Sequence, residues 1–361
     1  YILIRTVTEM KTHHLIFLVI SFLWLFGMAM YLINTSSSTV DKTISDKPVY
    51  RCEHMDIVYT WVNGSDPKHI KSRIERSGGS KYAAPGNNRF RDLMGLKYSL
   101  RSLKKFAPWV RRVFVVSDNQ YPQWFNESSE DVRFIFHQEF FKNLDDLPTF
   151  NSNAIETNFY NLPDFVSDCF VYFNDDIFVG SPVEMKDFWD PVYGQAIYKS
   201  GWTAPQPEAK LKNIWHACIK YSNELLNGLW GVDNSNRHYS SHGTNTFNKN
   251  ILKMMQHDLP AAFELSSSHP FRTAQDLQMP FLHLQYVLRY YATFEPSPIN
   301  YYALLSDDLD KVKYELKRIK SIKPKTVCLN DGLSVDNPNM NVIEELRQFF
   351  EDYFPDKPSW E

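Results

Sequence analysis

The sequence lacks a dominant charge: 39 Lys and Arg stand against 42 Asp and Glu, a formal net charge of -3. Without a broad cationic field, nucleic acid is not an expected partner. Cysteine is sparse. Cys52, Cys169, Cys218 and Cys328 are widely spaced with no CxxC pair, which argues against a zinc site. Four cysteines allow up to two disulfides in an oxidising compartment. There is no internal repeat, and the chain opens on Tyr1 rather than Met. Aromatics are plentiful at 15% and many sit among polar residues, a texture shared by carbohydrate-handling proteins and ordinary aromatic cores.

One long run has no charge at all. Residues 15–33 (LIFLVISFLWLFGMAMYLI) are enough for a bilayer-spanning helix. A cleaved signal peptide would have a shorter apolar region and a small-x-small cleavage site, which is not seen. The expected organisation is a cytosolic tail over 1–14, a transmembrane signal-anchor over 15–33, a Ser/Thr-rich stem over 34–50 and a catalytic domain over 51–361. This is a single-pass type II arrangement, Golgi with a lumenal domain, or cell envelope in a microbe. Sequons at Asn34, Asn63 and Asn126 permit glycosylation, although a glycan on Asn63 would crowd the motif around it.

Within 51–361 the pattern is α/β. Residues 55–62 (MDIVYTWV) read as a strand ending in an Asn-Gly-Ser-Asp-Pro turn, and 67–90 as a helical piece followed by a loop. Leu93, Leu96, Leu100 and Leu103 give a helix over 91–107 that Pro108 stops. Residues 113–116, 132–136 and 170–173 are further strands, the last closing on Asn174-Asp175-Asp176. Residues 190–260 read as short helices and loops forming a lid or acceptor side; 278–291 and 342–354 read as helices. Strands alternating with helices predict a mostly parallel sheet, whose ligands bind beyond the carboxyl ends of the strands.

Adjacent carboxylates at a strand end, Asp175 and Asp176, suit a hard divalent cation bridging diphosphate oxygens, though a plain acidic turn has the same sequence. The longer motifs decide more. DIVYTWVNGSDP (56–67), RFRDLMGLKYSLRSLKKFAPWVRRVFVVSDNQYPQWF (89–125), LPTFNSNAIE (147–156) and VYFNDDIFVG (171–180) resemble the first two signature regions of the Stealth family. HGTNTFNKNILKMMQHDLPAAFE with HPFRTAQDLQMPFLHLQYVL (242–288) resembles the third, and VCLNDGL (327–333) the fourth. That family includes microbial capsular-polysaccharide phosphotransferases and the α/β subunit of the animal N-acetylglucosamine-1-phosphotransferase that tags lysosomal enzymes.

The resemblance implies a Rossmann-like nucleotide-sugar-binding domain. It implies transfer of a hexose or N-acetylhexosamine 1-phosphate from a UDP-sugar to a hydroxyl of a glycan or glycoprotein, with release of UMP. Its functional positions fall on Glu156, Asp175, Asp176, His242, Arg272 and Asp331. Asp175 or Asp176, with Asp331, is expected to hold Mg²⁺ or Mn²⁺, and Arg272 to grip phosphate. His242 is the candidate general base, a role open to Glu156 as well. Asp56, Trp61 and Asn63 are candidates for the base and ribose, and Arg89 and Arg91 for the diphosphate. About 60 residues separate the acidic pair from the third region, with no Cys-rich insert, so selection of lysosomal hydrolases is not implied. Two alternatives remain: a metal-dependent GT-A-type glycosyltransferase releasing UDP, and a non-catalytic membrane-tethered glycan-binding protein. A homodimer is left open.

Overall fold

The computed structural model describes residues 46–78 and 90–361. The expected tail, the span over 15–33, most of the stem, and Arg89 lie outside the described residues. Among the described residues no helix is long and apolar enough to cross a membrane.

The chain enters through β1 (Met55–Thr60), α1 (Pro67–Arg76) and α2 (Gly95–Phe106), then β2 (Val113–Ser117) and β3 (Val132–Phe136). The short helix α3 (Ser152–Thr157) precedes β4 (Cys169–Asn174), and β5 (Ile177–Val179) follows after two residues. Next come β6 (Trp189–Asp190), β7 (Gly194–Ala196), β8 (Lys199–Thr203), α4 (Ile214–Trp230), β9 (His238–Ser240) and β10 (Asn245–Asn248). Helices α5 (Lys249–Asp258), α6 (Pro260–Ser268) and α7 (Met279–Tyr290) lead to β11 (Thr293–Phe294) and β12 (Asn300–Leu304). Helix α8 (Leu309–Ile322), β13 (Thr326–Asn330) and α9 (Met340–Tyr353) complete it.

The main sheet has the order β10-β4-β1-β2-β3. β1 pairs in parallel with β2 and β4, β2 in parallel with β3, and only β10 is antiparallel. The expected mostly parallel α/β sheet is therefore present. β1, β2 and β4 are buried along nearly their whole length, which is why they read as continuous apolar runs rather than alternating ones. Strand order reverses between β1 and β4, and such a switch point opens a crevice at the strands' carboxyl ends. A second sheet, β12-β13-β5, stands beside it; smaller ones pair β11-β7-β6 and β8-β9.

Helix α2 joins the two main sheets. Gly95, Ser99 and Ser102 fall on one face of it, and that face meets the segment from Asp175 to Val179. A Cβ on Gly95 would stand 2.1 Å from the Asp175 carbonyl oxygen. The Ser99 hydroxyl donates to the Ile177 carbonyl (2.5 Å), and the Val179 N–H donates to Ser102 Oγ (2.9 Å). Two serines thus satisfy the backbone of β5 on its open side. Leu96, Leu100 and Leu103 enter the core of the parallel sheet, while Tyr98 packs on Phe178 and Phe350 in a second core beneath α8 and α9.

Three expectations are corrected. The helix predicted from residue 91 begins at Gly95, because Asp92 Oδ1 accepts from the Met94 N–H at 2.7 Å and Met94 adopts φ 62°. Residues 91–94 are thereby kept out of the helix. Residues 190–260 are not merely short helices and loops: α4 runs 17 residues from an Asn213 cap to Gly231 in the left-handed conformation. Asp56 does not reach the carboxyl end of β1, where ligands of such sheets bind. It sits fully buried near the amino end of β1, where Arg111 holds it through Nε (2.9 Å) and Nη2 (2.6 Å) and Ser167 N–H donates at 2.7 Å.

Of the four cysteines, Cys52 and Cys169 are paired, tying the segment before β1 to the first residue of β4; Cys218 and Cys328 are buried free thiols. The Asp56–Arg111 pair fixes the same end of the sheet. Asp56→Ala should destabilise the fold by about 2–3 kcal/mol, the lower side of what breaking a buried pair does, because Arg111 keeps partial access to water. Guanidinium unfolding followed by circular dichroism measures it.

Candidate active site

Between the carboxyl ends of β1 and β4 lies a cavity of about 520 Å³. Eight of the residues singled out in the sequence line it: Trp61, Arg91, Glu156, Asp175, Asp176, His242, Arg272 and Asp331. Asp56 is at the other end of β1. Asn63 builds the turn after β1, exchanging backbone hydrogen bonds with the Gln120 side chain and accepting from the Ser65 N–H through its own.

The acidic pair occupies the two-residue joint between β4 and β5. β13 pairs with β5, and the Leu329 N–H donates to the Asp176 carbonyl at 2.9 Å. This brings the end of β13 against a residue some 150 positions earlier. Asp176 Oδ2 accepts from the Cys328 thiol and from Asn330 Nδ2, both at 3.3 Å, while Oδ1 is buried with no hydrogen-bond partner. Burial raises the Asp176 pKa, and burial together with the Asp176 and Asp92 charges raises that of Asp175 well above the usual carboxylate range. Asp331 accepts from Arg91 Nη1 (3.2 Å) and the Leu333 N–H (2.9 Å). Its pKa is still raised, because desolvation outweighs the arginine. Arg91 in turn donates to the Ser334 carbonyl at 2.7 Å. The extended stretch before α2 is what lets it cross to Asp331.

Glu156 comes from α3. Its Oε1 accepts from the Tyr172 hydroxyl at 3.1 Å and its Oε2 is buried without a partner. Burial lifts its pKa to about 7 against the opposing pull of Arg272 and Tyr172. The Tyr172 hydroxyl also faces Asn174 Oδ1 and Thr60 Oγ1, each at 2.8 Å. One phenolic proton cannot serve every acceptor there, so a protonated Glu156 completes the network. Arg272 donates to Ser152 Oγ at 2.5 Å. Its loop is tied down by the fully buried Asp276, which accepts from Asn151 Nδ2 (2.8 Å), Asn153 Nδ2 (3.3 Å) and the Thr273 N–H (3.1 Å), with His269 Nδ1 at 2.7 Å.

Cys328 was not singled out in the sequence, where an isolated cysteine gives little signal. The available clue is spacing: on β13 it shares a face with Asn330, two residues on, beside Asp331. Its sulfur lies 3.3 Å from Asp176 Oδ2 and 3.5 Å from His242 Nδ1. Burial and the Asp176 carboxylate push its pKa well up, so it remains a thiol. With the thiol proton given to Asp176, sulfur accepts from Nδ1–H, and Nε2 of the exposed His242 is left as the proton acceptor. Tyr302 packs edge-on to the imidazole at 4.8 Å. A further corner of the cavity holds Asp118 4.0 Å from His137, with His69 on the same lining; burial lowers the pKa values of the two histidines to about 3 and about 4.

Four conserved regions of the Stealth proteins match this chain: region 1 over residues 53–81, region 2 over 89–197, region 3 over 241–289 and region 4 over 317–361. Each contributes to the cavity: Trp61 from the first, Arg91, Glu156, Asp175 and Asp176 from the second, His242 and Arg272 from the third, Asp331 from the fourth. The chain is 31% identical over 315 residues to an exopolysaccharide phosphotransferase of Streptomyces coelicolor, covering 85% of this chain and 33% of that protein. It is 30% identical over 300 residues to a capsular polysaccharide phosphotransferase of Haemophilus influenzae, covering 78% of this chain and 79% of that protein. It spans a third of the first relative's length and 57% of a second from Streptomyces coelicolor. A solved galactosyltransferase bound to donor and acceptor sugar analogs aligns at 10% identity, TM-score 0.41, over 84% of this chain and 98% of that chain, too distant a likeness to argue from.

Two outcomes follow from this geometry. Between pH 4.5 and about 7 the native state holds a proton on Glu156 that the unfolded chain releases. The corresponding stability is complete below 4.5 and lost as pH rises through 7. Glu156→Gln should therefore stabilise the protein at pH 8 by on the order of 2 kcal/mol, with little effect at pH 4.5; thermal melts at both pH values measure it. Cys328→Ser, which keeps a donor and an acceptor, should retain most turnover, whereas Cys328→Val should lose at least about tenfold in kcat.

Proposed function

Since the chain belongs to the Stealth family, we propose that it transfers a hexose or N-acetylhexosamine 1-phosphate from a UDP-sugar to a glycan hydroxyl and releases UMP. The observation that carries this reading is the convergence of paired carboxylates, two arginines and a histidine on the switch-point cavity. The acceptor oxygen attacks the phosphorus that bears the sugar, the bond from that phosphorus to the bridging oxygen of UMP breaks, and the acceptor proton passes to His242 Nε2. Such a transfer depends on positioning and on charge placed around the phosphoryl group.

Arg272 supplies that charge on one side and Arg91 on the other, and Trp61 bounds the end where the base would lie. Asp175, Asp176 and Asp331 are the oxygen donors for Mg²⁺ or Mn²⁺. The buried Asp176 Oδ1, which has no hydrogen-bond donor, fits that use, while Asp331 Oδ2 is shared with Arg91 Nη1 at 3.2 Å. Among the described residues no three His, Cys, Asp or Glu side chains form a ready-made metal cluster. Mg²⁺ takes one or two carboxylates together with water and substrate phosphate. When bound, the ion would neutralise diphosphate oxygens. Glu156, buried at Tyr172 and near Arg272, keeps the arginine end of the cavity in register rather than taking the acceptor proton.

In this reading residues 15–33 anchor a type II protein whose domain lies in the Golgi lumen or an equivalent oxidising compartment, and the Cys52–Cys169 pair supports it.

The direct test is to incubate the protein with UDP-N-acetylglucosamine, Mg²⁺ and a simple sugar acceptor, then identify the nucleotide released. UMP with a phosphodiester-linked product is expected, and Arg272→Ala should lower kcat at least about a hundredfold. Release of UDP would make the protein a glycosyltransferase instead.

A further inference from the structure

The rim of the cavity carries an aromatic group that the transfer chemistry does not use. β8 is an open strand: Lys199, Gly201, Trp202 and Thr203 are all exposed, and Trp202 is 61% accessible. An indole of that size left largely in water gains little from packing. It is nonetheless held in a definite position. Its ring stacks on the His216 imidazole with centroids 5.0 Å apart and planes 7° from parallel, and the Tyr239 ring is 6.2 Å away. His216 Nδ1 is hydrogen-bonded to the Tyr239 hydroxyl at 3.0 Å, and Trp215 packs edge-on against Tyr239 at 5.2 Å.

This group is continuous with the reaction centre. Trp215 and Tyr239 line the cavity, and β9, which carries Tyr239 and pairs with β8, runs within two residues of its end to His242. From Tyr239 to His242 the backbone spans at most roughly 10 Å, the reach of a short oligosaccharide. We propose that Trp202, backed by His216 and Tyr239, is an outer subsite for the glycan acceptor, rests a hexopyranose ring on the indole face, and leads the chain to the hydroxyl beside His242. The proposal rests on the transfer reading and adds where the acceptor lies.

The chemistry selects a sugar. A pyranose presents one face of C–H groups to an aromatic ring and a rim of hydroxyls to polar neighbours, and Ser200, whose Oγ accepts from the Trp202 N–H at 3.1 Å, lies two residues before the indole in β8. A lipid surface or a hydrophobic peptide would need a wider apolar patch than one indole amid serine, threonine, glycine and lysine.

The full chain would be titrated calorimetrically with neutral tetrasaccharides of glucose, galactose and mannose, and the same sugars used as acceptors with UDP-N-acetylglucosamine. At least one should bind. Trp202→Ala should raise its Kd and its acceptor KM about tenfold, leaving the donor KM and the kcat at saturating acceptor within twofold, and Trp202→Phe should recover most of the loss. Unchanged acceptor binding in Trp202→Ala, or no binding by any of the three sugars, overturns the proposal. Sugar bound through Trp202 with no phosphodiester formed would sink the transfer reading and keep the subsite. Product formed with an unaltered acceptor KM in Trp202→Ala would do the reverse.

Discussion

Desolvated carboxylates around one crevice are the constraint on which the rest of this molecule depends. Asp92, Asp118, Glu156, Asp175, Asp176 and Asp331 all have pKa values raised chiefly by burial. Arg91 and Arg272 are the arginines that line the same cavity. Such an arrangement is held only by a frame that leaves the chain no cheaper conformation. Two hydrophobic cores flank the joint between β4 and β5, and the Cys52–Cys169 and Asp56–Arg111 pairs fix the far, amino end of the parallel sheet.

The joint explains why the cavity needs both sheets. β4 ends in the parallel sheet and β5 begins in the other, so Asp175 and Asp176 belong to neither, and the small face of α2 lets the turn approach at backbone distance. β13 then delivers Cys328, Asn330 and Asp331 in one short stretch. The polar loops follow the same logic. Asp276 gathers donors from Asn151, Asn153, Thr273 and His269, so the loop of Arg272 is fixed by a buried network as well as by the arginine's own bond to Ser152.

Much of this was legible from residues alone, and the failures have physical causes. The buried parallel strands announce themselves as short apolar runs, and the leucine spacing of α2 marks its core face. Which end of a strand a motif residue occupies is less visible: Asp56 and Trp61 lie five residues apart in one motif, yet the strand carries them to opposite ends of the sheet. The start of α2 was misplaced because a single carboxylate, Asp92, overrides leucine periodicity through the Met94 N–H. α4 escaped because its buried face mixes Cys218, Ser222 and Asn223 with Ile219 and Leu226, which blunts the apolar pattern. Cys328 could be placed only once β5 and β13 were seen to pair, since no local pattern reports a contact across 152 residues.

The raised carboxylates also bear on how an anionic donor enters an acidic crevice. A diphosphate approaching several ionised carboxylates would meet repulsion that two arginines cannot offset. Burial disfavours the ionised form of each of these acids, which weakens the repulsion relative to the formal count of acids. A cation arriving with the diphosphate would reverse the balance by favouring their ionised forms. Under the proposed transfer the charge of the crevice would be set by its occupant, and burial of the acids, which weakens the empty fold, would make the site responsive to substrate. His242 takes part in this adjustment, since its charge acts on the Asp176 carboxylate. It is exposed at the rim, and its contact with the acids passes through the neutral Cys328 thiol. A proton acceptor so placed stands between the acids and solvent, joined to the acid pair by one buried thiol.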